Sequence, residues 1–188
     1  MMSDFIAGID YSMTCPAICV YDRSKPFSYE ACKFFAYCDV KKLNQVYGRN
    51  VIITKHLPYE TEYERYNLIS DWAMMILNKF KVKEVCLEGF SMGSSGRVFN
   101  IAENTAVLKY KMWCADIKFQ TPAPTSVKKL FSGKGNATKE LMHNSFHAKT
   151  NISFISLLNI DPDKSPVSDL VDSYAMLDWY LHNIESES

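Results

Sequence analysis

The sequence predicts an α/β fold with a mixed five-stranded sheet flanked by helices. Two observations lead to this prediction. Three short apolar runs stand close together at the start of the chain, and after them strand-like runs alternate with helical segments, a pattern typical of parallel strands. The chain has 188 residues, of which 47% are hydrophobic, enough for one globular core and hardly for two. We therefore expect residues 1–188 to form one domain.

The first forty residues predict an antiparallel meander of three strands. Apolar runs cover residues 5–9, 16–21 and 31–37, and the segments between them are short. Connections of this length favour antiparallel neighbours, because parallel strands need a longer crossover. The first run ends directly at Asp10, which places this carboxylate at the end of a strand.

The rest of the chain predicts helices that alternate with strands. Residues 39–60 give the weakest signal and are expected to form a loop or an extra hairpin around residues 51–53. Beyond them, apolar residues at helical spacing and breaks at glycine and proline define further elements. These are helix 62–80, strand 84–89, helix 98–115, strand 117–120, helices 125–131 and 137–149, and a last helix over 169–183.

Charge is distributed unevenly, although the net charge is zero. Residues 97–149 contain 9 basic and 3 acidic side chains, whereas residues 150–188 contain 1 basic and 7 acidic ones. This distribution favours a basic surface beside an acidic cluster, as in an enzyme that binds a polyanion together with cations. Charges scattered over solvated faces would explain the same counts equally well.

The composition also predicts the compartment in which the protein works. No apolar run approaches the ~20 residues of a membrane span, and the first residues lack the basic and apolar regions of a secretory signal. The six cysteines mostly lie inside apolar runs and form no CxxC pair. We therefore expect buried thiols in a reducing compartment, a cytoplasmic location and no structural zinc.

Four carboxylates stand at positions that favour a metal site. Asp10 and Glu88 each follow an apolar strand, and the carboxyl ends of parallel neighbouring strands meet at one edge of a sheet. Asp169 and Asp172 are three apart on the last helix and share a face, although acids in a first turn also complement the helix dipole. Clustered carboxylates favour Mg²⁺ or Mn²⁺, and two such ions ~4 Å apart can hydrolyse a phosphodiester bond.

Five motifs in succession resemble those of the RuvC-type Holliday-junction resolvases. They are G-I-D-Y-S-M-T over 8–14, L-E-G over 87–89, P-T-S-V-K-K over 124–129, G-K-G-N-A-T-K over 133–139 and D-L-V-D-S-Y-A over 169–175. Their order matches the family and they span nearly the whole chain. The resemblance implies an RNase H-like fold and a Mg²⁺-dependent homodimer that cuts four-way DNA junctions in recombination and repair. The family occurs in bacteria, their phages and other DNA viruses, so the resemblance points to a bacterial or phage-infected cell, with a phage or viral branch favoured.

The resemblance also implies roles for individual residues. Asp10, Glu88, Asp169 and Asp172 would be the catalytic metal ligands, holding two Mg²⁺ ions for which Mn²⁺ can substitute. Lys128 and Lys139, eleven residues apart, match the family's DNA-contacting lysines, and we expect Lys129 and Lys134 of the same basic block to bind DNA with them. Phe90, displaced by about one position, is the candidate for the aromatic residue that helps to open the junction. Tyr11, Ser12 and the longer segment 39–60 depart from the family pattern.

Two other functions fit parts of the sequence. The opening strand, acid and hydroxyl residues also occur in actin-like and sugar-kinase ATPases, but those proteins need two such domains. A non-catalytic junction-binding protein is the second alternative, although carboxylates facing phosphate would only weaken its binding. The helix 98–115 has more apolar residues than one core face needs, which favours the homodimer.

Overall fold

The computed structural model describes residues 4–89 and 98–185, with only the backbone at positions 41, 98 and 185. Within these residues, seven strands form one sheet in the order β4-β5-β3-β2-β1-β6-β7. The strands are β1 (Phe5–Asp10), β2 (Ala17–Asp22), β3 (Cys32–Cys38), β4 (Val46–Tyr47), β5 (Val51–Lys55), β6 (Glu84–Leu87) and β7 (Lys118–Gln120).

Pairing in the sheet is antiparallel at the start of the chain and parallel later. β1, β2 and β3 form the predicted meander. β6 then pairs with β1 in parallel, and β7 pairs with β6 in parallel. The predicted mixed α/β architecture is confirmed, because helical crossovers bring the later strands back to the same edge of the sheet.

The predicted number of five strands was too low. The two additional strands are β4 and β5, which form an antiparallel hairpin within segment 39–60 and add to the edge of the sheet through β3. Of the two alternatives for this segment, the hairpin is therefore correct. Its signal was weak because β4 has two residues, one of them the exposed Val46, and β5 buries only Val51 and Ile53 fully.

Six α-helices lie in the described part of the chain. They are α1 (Glu62–Lys79), α2 (Val98–Cys114), α3 (Pro124–Ser132), α4 (Lys139–Thr150), α5 (Phe154–Leu158) and α6 (Val167–Tyr180). Local signals set their ends: Thr61 and Glu64 form a capping box on α1, and Gly133 ends α3 in the left-handed conformation. α5 was not predicted, because a five-residue helix is too short to show a period. None of these helices is long and apolar enough to cross a membrane.

The helices cover both faces of the sheet. α6 packs directly on β1 and β2, and α3 and α4 pack on α6. The opposite face is covered by α1 and α2, where Ile69 and Leu108 meet Ile9 and Ile18 in a separate apolar core. Because α6 lies against the central strands, residues at its start are close to the carboxyl ends of β1 and β6.

Candidate active site

Asp10 and Glu88 lie side by side at one edge of the sheet. β1 and β6 are parallel with Ile9 opposite Leu87, so the next residue of each strand is the carboxylate. The backbone N–H of Glu88 continues the ladder by donating to the carbonyl of Ile9 at 3.0 Å. The strand-end positions predicted from the sequence therefore place these two side chains next to each other.

A close approach of β1 to α6 adds the two aspartates of the last helix. A Cβ on Gly8 would overlap the carbonyl oxygen of Ser173 and lie 2.9 Å from the backbone nitrogen of Leu177. Glycine at this position lets the helix lie directly on the strand. Asp169 and Asp172, which precede Ser173 on the same helix, are thereby brought to Asp10 and Glu88.

The four carboxylates affect one another because they lie together in a largely buried cluster. Asp10 is 6% exposed and Asp169 is 7% exposed, whereas Glu88 and Asp172 are half-buried. Burial, and then the charges of Glu88, Asp169 and Asp172, raise the pKa of Asp10 well above its ordinary value. Burial, and then the charge of Glu88, raise the pKa of Asp172 to about 7. Burial likewise raises the pKa of Glu88, which is hydrogen-bonded to Asp10, and that of Asp169.

Two lysines lie against this cluster. The ammonium group of Lys139 donates to the carbonyl of Asp163 and to the hydroxyl of Ser168, both at 3.2 Å, and its charge opposes the raised pKa values of Asp10 and Asp169. Lys128, half-buried on α3, does the same for Glu88 and Asp172. The two lysines singled out from the sequence therefore border the carboxylates on two sides.

The other predicted DNA-binding residues have different surroundings. Lys129 is exposed on α3, and Lys134 is exposed in the turn after it. The segment that leads into α3 passes next to Gly89, because the N–H of Gly89 donates to the carbonyl of Pro122 at 3.1 Å and α3 begins two residues after Pro122. Phe90 lies outside the described residues.

The donor set fits hard divalent cations. In the part of the chain that the structure describes, no three acidic, thiol or imidazole side chains are arranged closely enough to enclose an ion. Burial and the neighbouring carboxylates nevertheless keep the pKa values of Asp10 and Asp172 raised, although Lys128 and Lys139 act in the opposite direction. Carboxylate oxygens are the ligands that Mg²⁺ and Mn²⁺ prefer, and cations between these groups would offset their repulsion.

Two contacts hold the turn after β1, and sequence reasoning missed the one made by Arg65. The guanidinium of Arg65, on α1, donates to the carbonyl of Met13 at 2.9 Å. The hydroxyl of Ser12 accepts from the N–H of Cys15 at 3.1 Å. Ser12 had a sequence signal, because hydroxyl residues in turns commonly bind nearby backbone. Arg65 had none, since its contact depends on where α1 packs.

Comparison with known proteins gave matches in structure alone. No protein-family model and no curated protein sequence matched. The structure of Thermus thermophilus RuvC aligns with a TM-score of 0.61 and 18% identity, covering 95% of both chains. The chain has the RuvC fold. The same RuvC in complex with Holliday junction substrate aligns with a TM-score of 0.58 and 18% identity over 94% of this chain and 93% of that one.

A third solved structure, the yeast mitochondrial Holliday junction resolvase Ydc2, aligns with a TM-score of 0.48 and 14% identity over 100% of this chain and 87% of that one. The predicted RNase H-like fold is confirmed by the likeness to RuvC.

Proposed function

We propose that this chain is a metal-dependent endonuclease that cleaves phosphodiester bonds in four-way and related branched DNA junctions. The observation that supports the proposal most is the convergence of four largely buried carboxylates, Asp10, Glu88, Asp169 and Asp172, whose charges raise one another's pKa values. Buried carboxylates cost several kcal/mol each unless a cation or a donor meets them. A cluster that is so costly to fold is expected to have a chemical role.

The four carboxylates would hold two Mg²⁺ ions, for which Mn²⁺ can substitute. Two divalent ions would balance four carboxylate charges, which agrees with the pKa values that are raised without them. Bound ions of this kind activate water and stabilise negative charge on phosphate oxygens. Asp10 and Glu88 sit on rigid strands and Asp169 and Asp172 on α6, so the protein contributes a fixed geometry for the ions and the phosphate.

The basic residues around the cluster would bind the DNA backbone. Lys128 and Lys139 border the carboxylates, and the exposed Lys129 and Lys134 extend the same basic region over α3 and the turn that follows. Lysines hold phosphates without regard to base sequence. RuvC, which shares this fold, has been seen in complex with a Holliday junction, which favours branched DNA as the substrate here.

A homodimer would provide the second active site that symmetric cleavage requires. α2 exposes three large aromatic residues, with Phe99 81% exposed, Tyr110 65% and Trp113 72%. The rings of Tyr110 and Trp113 stack with centroids 6.2 Å apart. An apolar patch of this kind commonly marks an interface, and a two-fold axis would relate the two cuts. We also propose that residues 1–188 act as one nuclease domain in the cytoplasm.

The proposal is tested by incubating the protein with labelled four-way, flap, nicked and plain duplex DNA, in Mg²⁺ and in EDTA. We expect cleavage of the four-way junction in Mg²⁺ and binding without cleavage in EDTA. Binding without cleavage in both conditions would instead indicate a non-catalytic junction-binding protein. ATP hydrolysis without any nuclease activity would indicate the actin-like alternative.

A further inference from the structure

Two cysteines face each other where β2 and β3 approach the carboxylate cluster. Ala17 pairs with Ala36, and the N–H of Tyr37 donates to the carbonyl of Pro16 at 3.0 Å. Continued two residues beyond the start of β2, the same register brings Cys15 opposite Cys38. Because Pro16 and Tyr37 occupy a hydrogen-bonded position of the ladder, Cys15 and Cys38 occupy the following non-hydrogen-bonded one, where Cα atoms are about 4.5 Å apart.

The two thiols are close enough to affect each other's ionisation. Both are buried and unoxidised, and the interaction between them raises the pKa of Cys15 and lowers that of Cys38. The backbone at Val40 also lowers the pKa of Cys38, against the effect of its burial. The Cα separation of the position lies within the range of about 4.4 to 6.8 Å that a disulfide requires.

A second thiol pair on the same two strands also interacts, since burial and then Cys32 raise the pKa of Cys19, but the two residues are not directly opposite each other. Cys19 is opposite Phe34 and Cys32 is opposite Tyr21, so the two cysteines are diagonal neighbours. Diagonal neighbours in an antiparallel sheet are about 7 to 8 Å apart, which is beyond the reach of an unstrained disulfide. The pair Cys19 and Cys32 therefore serves as a matched control, with similar burial and no suitable register.

The pair Cys15 and Cys38 is linked to the site through the turn after β1. The charges of Asp169 and Asp10 act on the Cys15 thiol and raise its pKa further. The N–H of Cys15 donates to the hydroxyl of Ser12, two residues after Asp10. A displacement of Cys15 would therefore move Ser12 and, with it, the turn that follows Asp10.

We propose that Cys15 and Cys38 form a reversible disulfide on oxidation and that this bond lowers the activity of the carboxylate site. With hydrogen peroxide, the Cys38 thiolate attacks one peroxide oxygen and the O–O bond breaks, which gives a sulfenic acid and a hydroxide ion that takes up a proton and leaves as water. Cys15 then attacks that sulfur, the S–S bond forms and a second water leaves. The sulfurs close to about 2.05 Å, which draws Cys15 toward β3 and away from Ser12. The effect on activity rests on the proposed nuclease function.

The disulfide itself is tested without reference to any activity. The full chain is treated with hydrogen peroxide, thiols that stay reduced are alkylated, and peptides are mapped by mass spectrometry without reduction. We expect the cross-linked peptides of Cys15 and Cys38, and their loss on treatment with dithiothreitol. The variant Cys19→Ala/Cys32→Ala should form the same cross-link. A cross-link between Cys19 and Cys32 instead, or no cross-link at all, would overturn the proposal.

The effect on the site is tested by junction cleavage in Mg²⁺ before oxidation, after it and after reduction. We expect a drop of about tenfold or more in wild type and in Cys19→Ala/Cys32→Ala, reversed by dithiothreitol, and no drop in Cys15→Ala/Cys38→Ala. If that variant fails to fold, Cys15→Ala alone removes the cross-link equally well. A mapped disulfide with an unchanged rate would overturn the regulatory part. Absence of cleavage by the reduced protein would overturn the proposed function while leaving the disulfide in place.

Discussion

Burial of the carboxylates is the dominant feature at the scale of single residues, and their mutual repulsion adds to it. Burial and mutual charge raise the pKa of Asp10 and bring that of Asp172 to about 7. The folded chain therefore binds more protons than the unfolded chain between about pH 4, where a free carboxyl titrates, and about pH 7. Protons would compete with the proposed cations for the same oxygens, so the proposal links stability, pH and metal binding at this site.

We predict that the protein without metal loses stability as the pH rises from about 4 through about 7. The reason is that each raised carboxyl must give up its proton in the folded state at a higher pH than in the unfolded state. Thermal unfolding in EDTA measures the effect, and Asp172→Asn should flatten the profile. Mg²⁺ at pH 8 should raise the melting temperature of wild type more than that of the variant. A flat profile for wild type would contradict the burial of the cluster.

We predict that Lys128→Ala and Lys139→Ala each weaken binding to four-way junctions of any sequence. Removing one phosphate contact should reduce the slope of log affinity against log salt concentration by about 1. Equilibrium binding at several salt concentrations measures both effects. Lys79→Ala is the matched control, because this exposed lysine is the last residue of α1. It precedes the start of β6, whereas Glu88 follows the end of that strand. If the double variant Lys128→Ala/Lys139→Ala keeps the wild-type affinity and salt slope, these lysines do not contact DNA and only form a solvated face.

Contact between β1 and α6 is the decisive feature at the scale of elements. Gly8 lets the helix approach the strand until its backbone would overlap a Cβ, and this approach gives Asp169 and Asp172 their place. The contact joins two elements that are about 160 residues apart in sequence. Short-range patterns report the strand and the helix separately, but the distance between them depends on this packing.

We predict that Gly8→Ala destabilises the fold by several kcal/mol, because the methyl group meets main-chain atoms that cannot rotate away. Chemical denaturation measures the change in the free energy of unfolding. Gly48→Ala is the control: its left-handed backbone conformation makes alanine unfavourable, but no atom lies within 4 Å of the added group, so the cost should be about 1 kcal/mol. Equal costs in the two variants would show that β1 and α6 are not in such close contact.

Much of the site was predictable because its residues follow local signals. Asp10 and Glu88 directly follow apolar strands, and Asp169 and Asp172 share a helical spacing. The contacts of Arg65 with Met13 and of Cys15 with Cys38 were not predictable. The first depends on helix packing and the second on strand register, which a one-residue slip would change. The hairpin of β4 and β5 was ambiguous for a different reason, since strands this short show little alternation.

Self-association is the main question at the scale of the whole molecule. The exposed aromatic residues of α2 lie on a face that the described part of the chain leaves open to solvent. Large exposed aromatic surface is unfavourable in water and is commonly buried by association. A four-way junction has two strands of like polarity to be cut, so two copies related by a two-fold axis match its symmetry.

We predict that the protein is a dimer and that Trp113→Glu dissociates it, because a charge in the centre of an apolar interface must be buried without a partner. Light scattering coupled to size exclusion measures the mass at micromolar concentration. Val46→Glu is the control, since Val46 is also exposed but lies on β4, an outermost strand of the sheet. A monomeric wild type, with and without junction DNA, would contradict this prediction.

Metal-dependent cleavage by the four carboxylates is the central claim, and Asp10→Asn tests it most directly. The amide keeps the shape of the side chain but removes one metal-binding charge beside Glu88, Asp169 and Asp172. The measurement is the rate of four-way junction cleavage in Mg²⁺, with junction affinity and melting temperature determined on the same samples. We predict a rate lower by several orders of magnitude, with the fold kept and with affinity kept or slightly raised because a negative charge near phosphate is gone. A folded Asp10→Asn protein that cuts the junction at nearly the wild-type rate would contradict the account.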